Sequence, residues 1–333
     1  MDNQYDLKSV KLPYLAGGLL KLFASLVEGP LGGLLTPSLF ESAGLNWLRK
    51  QQFDEIPTFH PIHHTGDLQT EAASVPENEF PKQAPAARGF QFASIHDFAK
   101  AYRDGTTTPE AVAQKVLDAI AASDKHDPAL RAFIAVNHED VMKQARESTQ
   151  RFKAGKPLSV FDGVPIAVKD ELDMTPYPTT VGTAFLGKSP AKEDATVAAR
   201  LRNAGALLVG KTNMHEIGIN VTGLNPHHGT TRNPYNTGHY TGASSSGSAT
   251  AVAAGLVPVA IGADGGGSIR IPSSFCGVVG LKSTFGRVSE FGAYPLCWSL
   301  AHVGPLTATA TDAALTYALI AGPDPKDPMS LNQ

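Results

Sequence analysis

GHYTGASSSGSATAVAAGLVPVAIGADGGGSIRIPSSFCGVVGLKSTFGR, residues 238–287, holds the features from which the rest of the chain is read. A run of hydroxyls (Ser244, Ser245, Ser246, Ser248) follows Gly242, and a glycine triplet (Gly265, Gly266, Gly267) ends on Ser268. Between them the sequence reads as a helix at about 247–254 and then as a buried strand at 256–261. Successive glycines allow backbone N–H groups to converge on one point, the geometry that holds an oxyanion. A serine at the end of such a run is a natural nucleophile, provided that a base lies nearby.

Working outward, residues 163–173 (GVPIAVKDELD) read as a buried strand that ends on Lys169. The C-terminal end of a strand is a common place for chemistry in α/β sheets. Thr108-Pro109-Glu110 is a helix start, with a cap, a proline at the first helical position and an acidic first turn, and that helix runs to about Ser123. A strand is expected near 130–136, helices near 139–153, 196–203 and 311–321, and a further strand at 206–209. Helices alternating with short apolar strands imply an α/β layered fold on a mixed, largely parallel central sheet flanked by helices.

At these stretches the chain resembles the amidase signature family, Ser–Ser–Lys hydrolases of carboxamides. The likeness rests on Gly-x-Ser-Ser-x-Gly-Ser from Gly242, Asp-x-Gly-Gly-Ser-Ile-Arg from Asp264, and FCGVVGLK from Phe275, with 24 positions between Ser244 and Ser268. It extends from about residue 95 to the C-terminus. By this resemblance Lys169, Ser244 and Ser268 form the catalytic triad, and Gly265, Gly266 and Gly267 supply oxyanion donors. Ser245 is expected to hydrogen-bond Lys169, while Asp264 and Arg270 support the loop. Ser244 is expected to follow a cis peptide bond, although Ala243 stands where the family usually has glycine. An ordinary ammonium cannot take a proton at neutral pH, so the scheme needs burial to disfavour the charged lysine. Lys169 then relays a proton from Ser268 through Ser244, without a histidine. The resemblance implies an acyl-enzyme opened by water, with no cofactor and no metal.

Longer stretches, KDELDMTPYPTTVGT and GKTNMHEIGINVTGLNPHHGTTRNPYN, are similar to the plant-type fatty acid amide hydrolase branch and its fungal relatives, as are the leading residues 10–35. That likeness implies long-chain amides such as N-acylethanolamines as substrates. The alternatives are a general small-amide amidase, an inactive scaffold, and a glutamyl-tRNA amidotransferase A-like subunit. Members of this branch continue beyond the equivalent of Gln333, so the fold is expected to be incomplete at its C-terminus.

The remainder of the chain bounds the reading. With 28 basic and 31 acidic residues it is nearly neutral, and no basic run suggests nucleic acid. Two cysteines, Cys276 and Cys297, make no disulfide framework. The expected location is therefore cytoplasmic or peripherally membrane-associated on the cytosolic side, not secreted. Leu15, Leu19, Phe23, Leu26 and Val27 share a face at helical spacing, but Lys21, Glu28 and Pro30 spoil a membrane span. Residues 1–50 are read as apolar helices that either dock on a core or meet lipid, 51–92 as a linker, and 93–333 as the catalytic domain. A homodimer is left open. His60, His63 and His64 have no ligand partner at metal spacing. GALLVGKT (205–212) satisfies the P-loop pattern, but its spacer is itself an apolar strand, so nucleotide binding is rejected. His215-Glu216 is half of a zincin motif, with Ile219 in place of the second histidine.

Overall fold

The structure, a computed structural model, describes residues 15–42, 46 and 93–330. The linker read at 51–92, with its three histidines, lies outside the described residues. The chain separates into two compact units, Met1–His60 and Pro61–Gln333.

In the first unit, helices α1 (Gly17–Glu28) and α2 (Gly32–Ser42) meet at an angle of 110°. No single described helix is long and apolar enough to cross a membrane, and this pair qualifies only together, across its bend. Leu19, Leu22 and Leu34 are well exposed, and α1 buries none of its residues.

The second unit is built on a six-stranded sheet. Its strands are β1 (Phe133–Ala135), β2 (Pro165–Lys169), β3 (Leu207–Thr212), β6 (Val259–Ala263), β7 (Val279–Gly280) and β8 (Val303–Thr307), in the order β1-β3-β2-β6-β8-β7. A separate hairpin pairs β4 (Arg232–Asn233) with β5 (Asn236–Tyr240). The middle of the sheet is parallel, with β2 between β3 and β6, whereas β1 and β8 join antiparallel at either side. The expected mixed sheet with parallel central strands is the one observed. Both faces of β2, β3 and β6 are buried, which explains why they read as continuous apolar runs rather than alternating ones.

The helices are α3 (Ile95–Arg103), α4 (Pro109–Ser123), α5 (His138–Lys153), α6 (Thr196–Asn203), α7 (Ser246–Ala253), α8 (Arg270–Cys276) and α9 (Ala310–Ile320). Thr108 caps α4, with Pro109 at its first position, as its sequence dictates. Among the described residues the core has three clusters, of which the two larger flank the sheet. One gathers Ile166, Val168, Leu201, Leu208 and Ile261, and the other gathers Leu117, Ala167, Leu207, Val209 and Ala260. Alternate residues of the same strands feed the two clusters, as the period of two requires.

Some boundaries differ from the sequence reading. The strand expected at 256–261 begins at Val259, because the N–H groups of Leu256 and Val257 turn back to Ala251 O and close α7. The strand expected to stop at 209 continues through Lys211 and Thr212, held in register with Val168 and Lys169 of β2. Lys211 therefore lies buried in a strand and donates to Leu172 O, which is incompatible with a phosphate-binding loop. Gly205 follows α6 at φ +89°, where a side chain would be strained, and an added Cβ would lie 2.7 Å from the Asp162 carboxyl carbon.

That carboxylate is the polar knot of this face. Asp162 is fully buried and accepts from Arg151 Nε (2.8 Å) and Nη2 (2.7 Å), Ser148 Oγ (2.6 Å) and Leu158 N (2.8 Å). Removing one member of a buried pair leaves the other uncompensated. Asp162→Ala is expected to destabilise the chain by about 3 kcal/mol or more, read as a lowered urea midpoint at unchanged m-value.

Candidate active site

Parallel pairing of β2 with β6 brings the C-terminal ends of both strands to the same sheet edge. The sequence places Lys169 last in β2 and Ala263 last in β6. The Lys169 side chain is fully buried, and its Nζ lies 2.7 Å from Ser244 Oγ, 3.2 Å from Ala263 O and 2.6 Å from Glu171 Oε2. Lys169 and Ser244, 75 residues apart in the chain, are thus in direct hydrogen-bond contact.

Ser244 itself is buried at the entry to α7, and the Ala243–Ser244 peptide is cis. The hydroxyl run divides by role. Ser248 Oγ pairs with Thr212 Oγ1 (2.7 Å) and donates to Ile261 O (3.1 Å), fastening α7 to β3 and β6. Ser246 Oγ accepts from Thr231 Oγ1. Ser245, expected to bond Lys169, instead donates to Ala263 O at 3.2 Å. Its side chain packs against Gly262, where an added Cβ would lie 2.7 Å from Ser245 Oγ. It therefore holds the carbonyl that Lys169 uses and does not touch the lysine. Gly247 allows α7 to approach this closely, since a Cβ there would meet Ala132 O at 2.3 Å and Asn213 N at 2.5 Å.

Ser268 lies on the turn between β6 and α8 and is partly exposed. Its carbonyl accepts from Ser245 N at 3.1 Å, which ties the two serine segments together. Among the described residues its hydroxyl has no hydrogen-bond partner, whereas Ser244 Oγ is engaged with Lys169.

The glycine triplet does not act as one unit. Gly267 N–H, expected to be an oxyanion donor, donates to Asp264 Oδ1 at 2.7 Å and is committed to the loop. The N–H groups of Gly265 and Gly266 have no partner among the described residues, and both glycines are exposed. Asp264 is buried and organises the turn, accepting also from Ile269 N (3.1 Å), Arg270 N (3.3 Å), Arg270 Nε (3.0 Å) and Arg270 Nη2 (2.9 Å). Burial alone would raise its pKa. The Arg270 side chain and the three backbone donors outweigh that and hold it down at about 2.

Three contributors escaped the sequence reading. Glu171 is buried against Lys169, and the turn that carries it is clamped by Tyr294 N to Glu171 O at 2.8 Å. Cys297 lies over the turn at Gly265, 3.1 Å from where a Cβ on that glycine would stand. Gly218, at φ +70°, lies against Ser244, 3.4 Å from its Oγ to a built Cβ. No spacing rule announces any of them, because each contact is made across distant segments or around a turn. Behind Lys169, Glu171 and Ala263 line a cavity of about 350 Å³ together with Glu290, Tyr294, Trp298 and Asp327. Burial, reinforced by the charges of Asp327 and Glu171, pushes Glu290 up to about 8. Among the described residues, no group of three or more His, Cys, Asp or Glu side chains is placed to hold a metal ion.

Comparison with known proteins gives the family. The family profile named Amidase matches residues 114–333. A fatty acid amide hydrolase of Oryza sativa subsp. indica is 40% identical over 350 residues, covering 98% of this chain and 58% of that protein. The A-type subunit of the glutamyl-tRNA(Gln) amidotransferase from Trichodesmium erythraeum is 40% identical over 240 residues, covering 72% of this chain and 49% of that one. Among solved structures, native peptide amidase from Stenotrophomonas maltophilia superposes with a TM-score of 0.69 at 37% identity, covering 72% of this chain and 50% of that one. The chain thus spans 58% of the length of the rice relative.

The Asp264 turn has a defined pH response. A carboxyl whose folded pKa is depressed contributes stability above its unfolded value and loses it as pH falls through the folded one. The window runs from the ordinary 3.8 down to about 2. Urea midpoints measured from pH 5 to pH 2 are expected to fall through this window in the wild-type chain. They are expected to fall less steeply in Asp264→Asn, which starts from a lower value at pH 7.

Proposed function

The chain belongs to the amidase family, and from that premise we propose that it is an amide hydrolase acting through Lys169, Ser244 and Ser268 on fatty acid amides. The observation that carries the reading is the buried contact of 2.7 Å between Lys169 Nζ and Ser244 Oγ. Ser244 lies in the segment tied to Ser268 by the Ser245 N to Ser268 O bond.

In this reaction Ser268 Oγ attacks the carbonyl carbon of the amide. Its proton passes to Ser244 Oγ as the Ser244 proton passes to the Lys169 amine. The carbonyl oxygen becomes an oxyanion that receives the free N–H groups of Gly265 and Gly266, an interaction worth about 3 kcal/mol per donor. The proton then returns from Lys169 through Ser244 to the amide nitrogen. The C–N bond breaks and the amine leaves neutral, because an amide anion is too poor a leaving group. Water, deprotonated along the same route, opens the ester on Ser268 and releases the acid.

One observation supports long-chain amides over short ones: the fatty acid amide hydrolase likeness covers 98% of the chain, whereas the amidotransferase likeness covers 72%.

The wild-type chain is expected to release oleic acid from oleoyl-ethanolamide faster than it hydrolyses a short aliphatic amide or glutamine, read by mass spectrometry of the products. Ser268→Ala is expected to abolish both turnover and labelling by a fluorophosphonate probe at unchanged circular dichroism. Equal turnover of all three amides would reject the lipid substrate, and labelling that survives Ser268→Ala would reject the nucleophile.

A further inference from the structure

We infer that Glu171 is a fourth member of the proton relay, a positioning residue that aims the Lys169 amine at Ser244 and balances the charge that the amine acquires. The inference rests on the reading of Lys169, Ser244 and Ser268 given above.

Valence counting carries it. A neutral amine has two N–H bonds and one lone pair, and an ammonium has three N–H bonds. Lys169 Nζ has three oxygen neighbours in the described residues: Glu171 Oε2 at 2.6 Å, Ser244 Oγ at 2.7 Å and Ala263 O at 3.2 Å. A carboxylate and a carbonyl can only accept, so they take the two N–H bonds of the neutral amine. The lone pair is then left to face the one neighbour that has a proton to give, Ser244. After transfer the third N–H bond points back at Ser244 Oγ, ready to return the proton to the leaving nitrogen. Without Glu171 the amine has one fixed acceptor and is free to rotate its lone pair away from the serine.

Glu171 is held firmly enough for this work. Its side chain is 7% exposed. Its turn is clamped to the segment at 292–294 by Asp173 N to Gly292 O (2.7 Å), Tyr294 N to Glu171 O (2.8 Å) and a bridge between Leu172 and Ala293. On the preceding residue, Asp170 is fixed by Thr180, Gly182 N and the buried Lys211. The other charged and titratable groups around Glu171 line the cavity behind it: Glu290, Asp327, Lys326 and Tyr294. Cys297 lies beyond them at the oxyanion turn. Lys326 is engaged with Glu193 and stands over the Phe291 ring, so Lys169 is the basic group that Glu171 meets. The arrangement parallels the carboxylate of a Ser-His-Asp triad, which orients the base and stabilises its cation without itself being protonated.

The test is the pH dependence of Ser268 labelling by a fluorophosphonate in the full 333-residue chain. Glu171→Gln keeps the size of the side chain and removes its charge. Its plateau rate is expected to fall about a hundredfold, and the rising limb of the profile is expected to move to lower pH, because the carboxylate 2.6 Å from the amine is replaced by a neutral amide. A purely structural role would lower the amplitude and leave the limb in place. Glu171→Asp, which keeps the charge and shortens the reach, is expected to label slowly with its limb near the wild-type position. It carries the test if the glutamine variant lacks the native circular-dichroism spectrum. A wild-type rate and limb in Glu171→Gln, or a wild-type rate in Glu171→Asp, would overturn the inference alone. A wild-type chain that is not labelled at Ser268 overturns the reading of the site as well, so the two failures are distinguishable.

Discussion

A lysine nitrogen with no access to water and three oxygens around it is the constraint that the rest of the second unit serves. Taking an amine of that kind out of water is costly unless each of its bonds finds a partner. The partners come from three separate places: the turn after β2, the start of α7 and the end of β6. Bringing them together requires β2 and β6 to lie side by side and parallel, and it requires α7 to press onto them without side chains in the way. Gly262 meets the second requirement at β6, Gly247 lets the start of α7 lie against Ala132 and Asn213 beside β1 and β3, and the hydroxyls of Ser245 and Ser248 fix the helix once it is there.

Much of this was legible in the sequence because it is written in local chemistry. The Thr-Pro-Glu start of α4, the charge-free approach to Lys169 and the strand inside GALLVGKT each follow from nearest-neighbour rules, and α6 occupies the span that its pattern predicts. The short edge strand β7, the strand β8 and the β4–β5 hairpin were not legible. β7 has two residues and β4 two, too few to show any period, and β5 is largely exposed. Only pairing with a distant partner makes them strands.

The same division holds at the site. Serines, glycines and a lysine at characteristic intervals singled out stretches that the fold brings together, but they did not reveal which donor meets which acceptor. Ser245 and Gly267 show why. Both stand in the motif, yet one braces a carbonyl and the other is bound by Asp264. Their roles depend on sub-ångström choices of direction that composition does not encode. Glu171 is the converse case: an ordinary acidic residue in the sequence that becomes a member of the site because its turn is clamped to the distant segment at 292–294.

The bond from Lys169 to Ala263 closes a loop of 94 residues. The entropy lost on closing a loop grows only slowly with its length, but it must be met before the contacts inside can compensate for it. Pairings between segments so far apart therefore form late on the way to the native state. During synthesis the lysine emerges well before the helix and turn that give it hydroxyl neighbours. A nascent chain consequently lacks the contact between Lys169 and Ser244, which arises only when the parallel sheet and α7 are both in place.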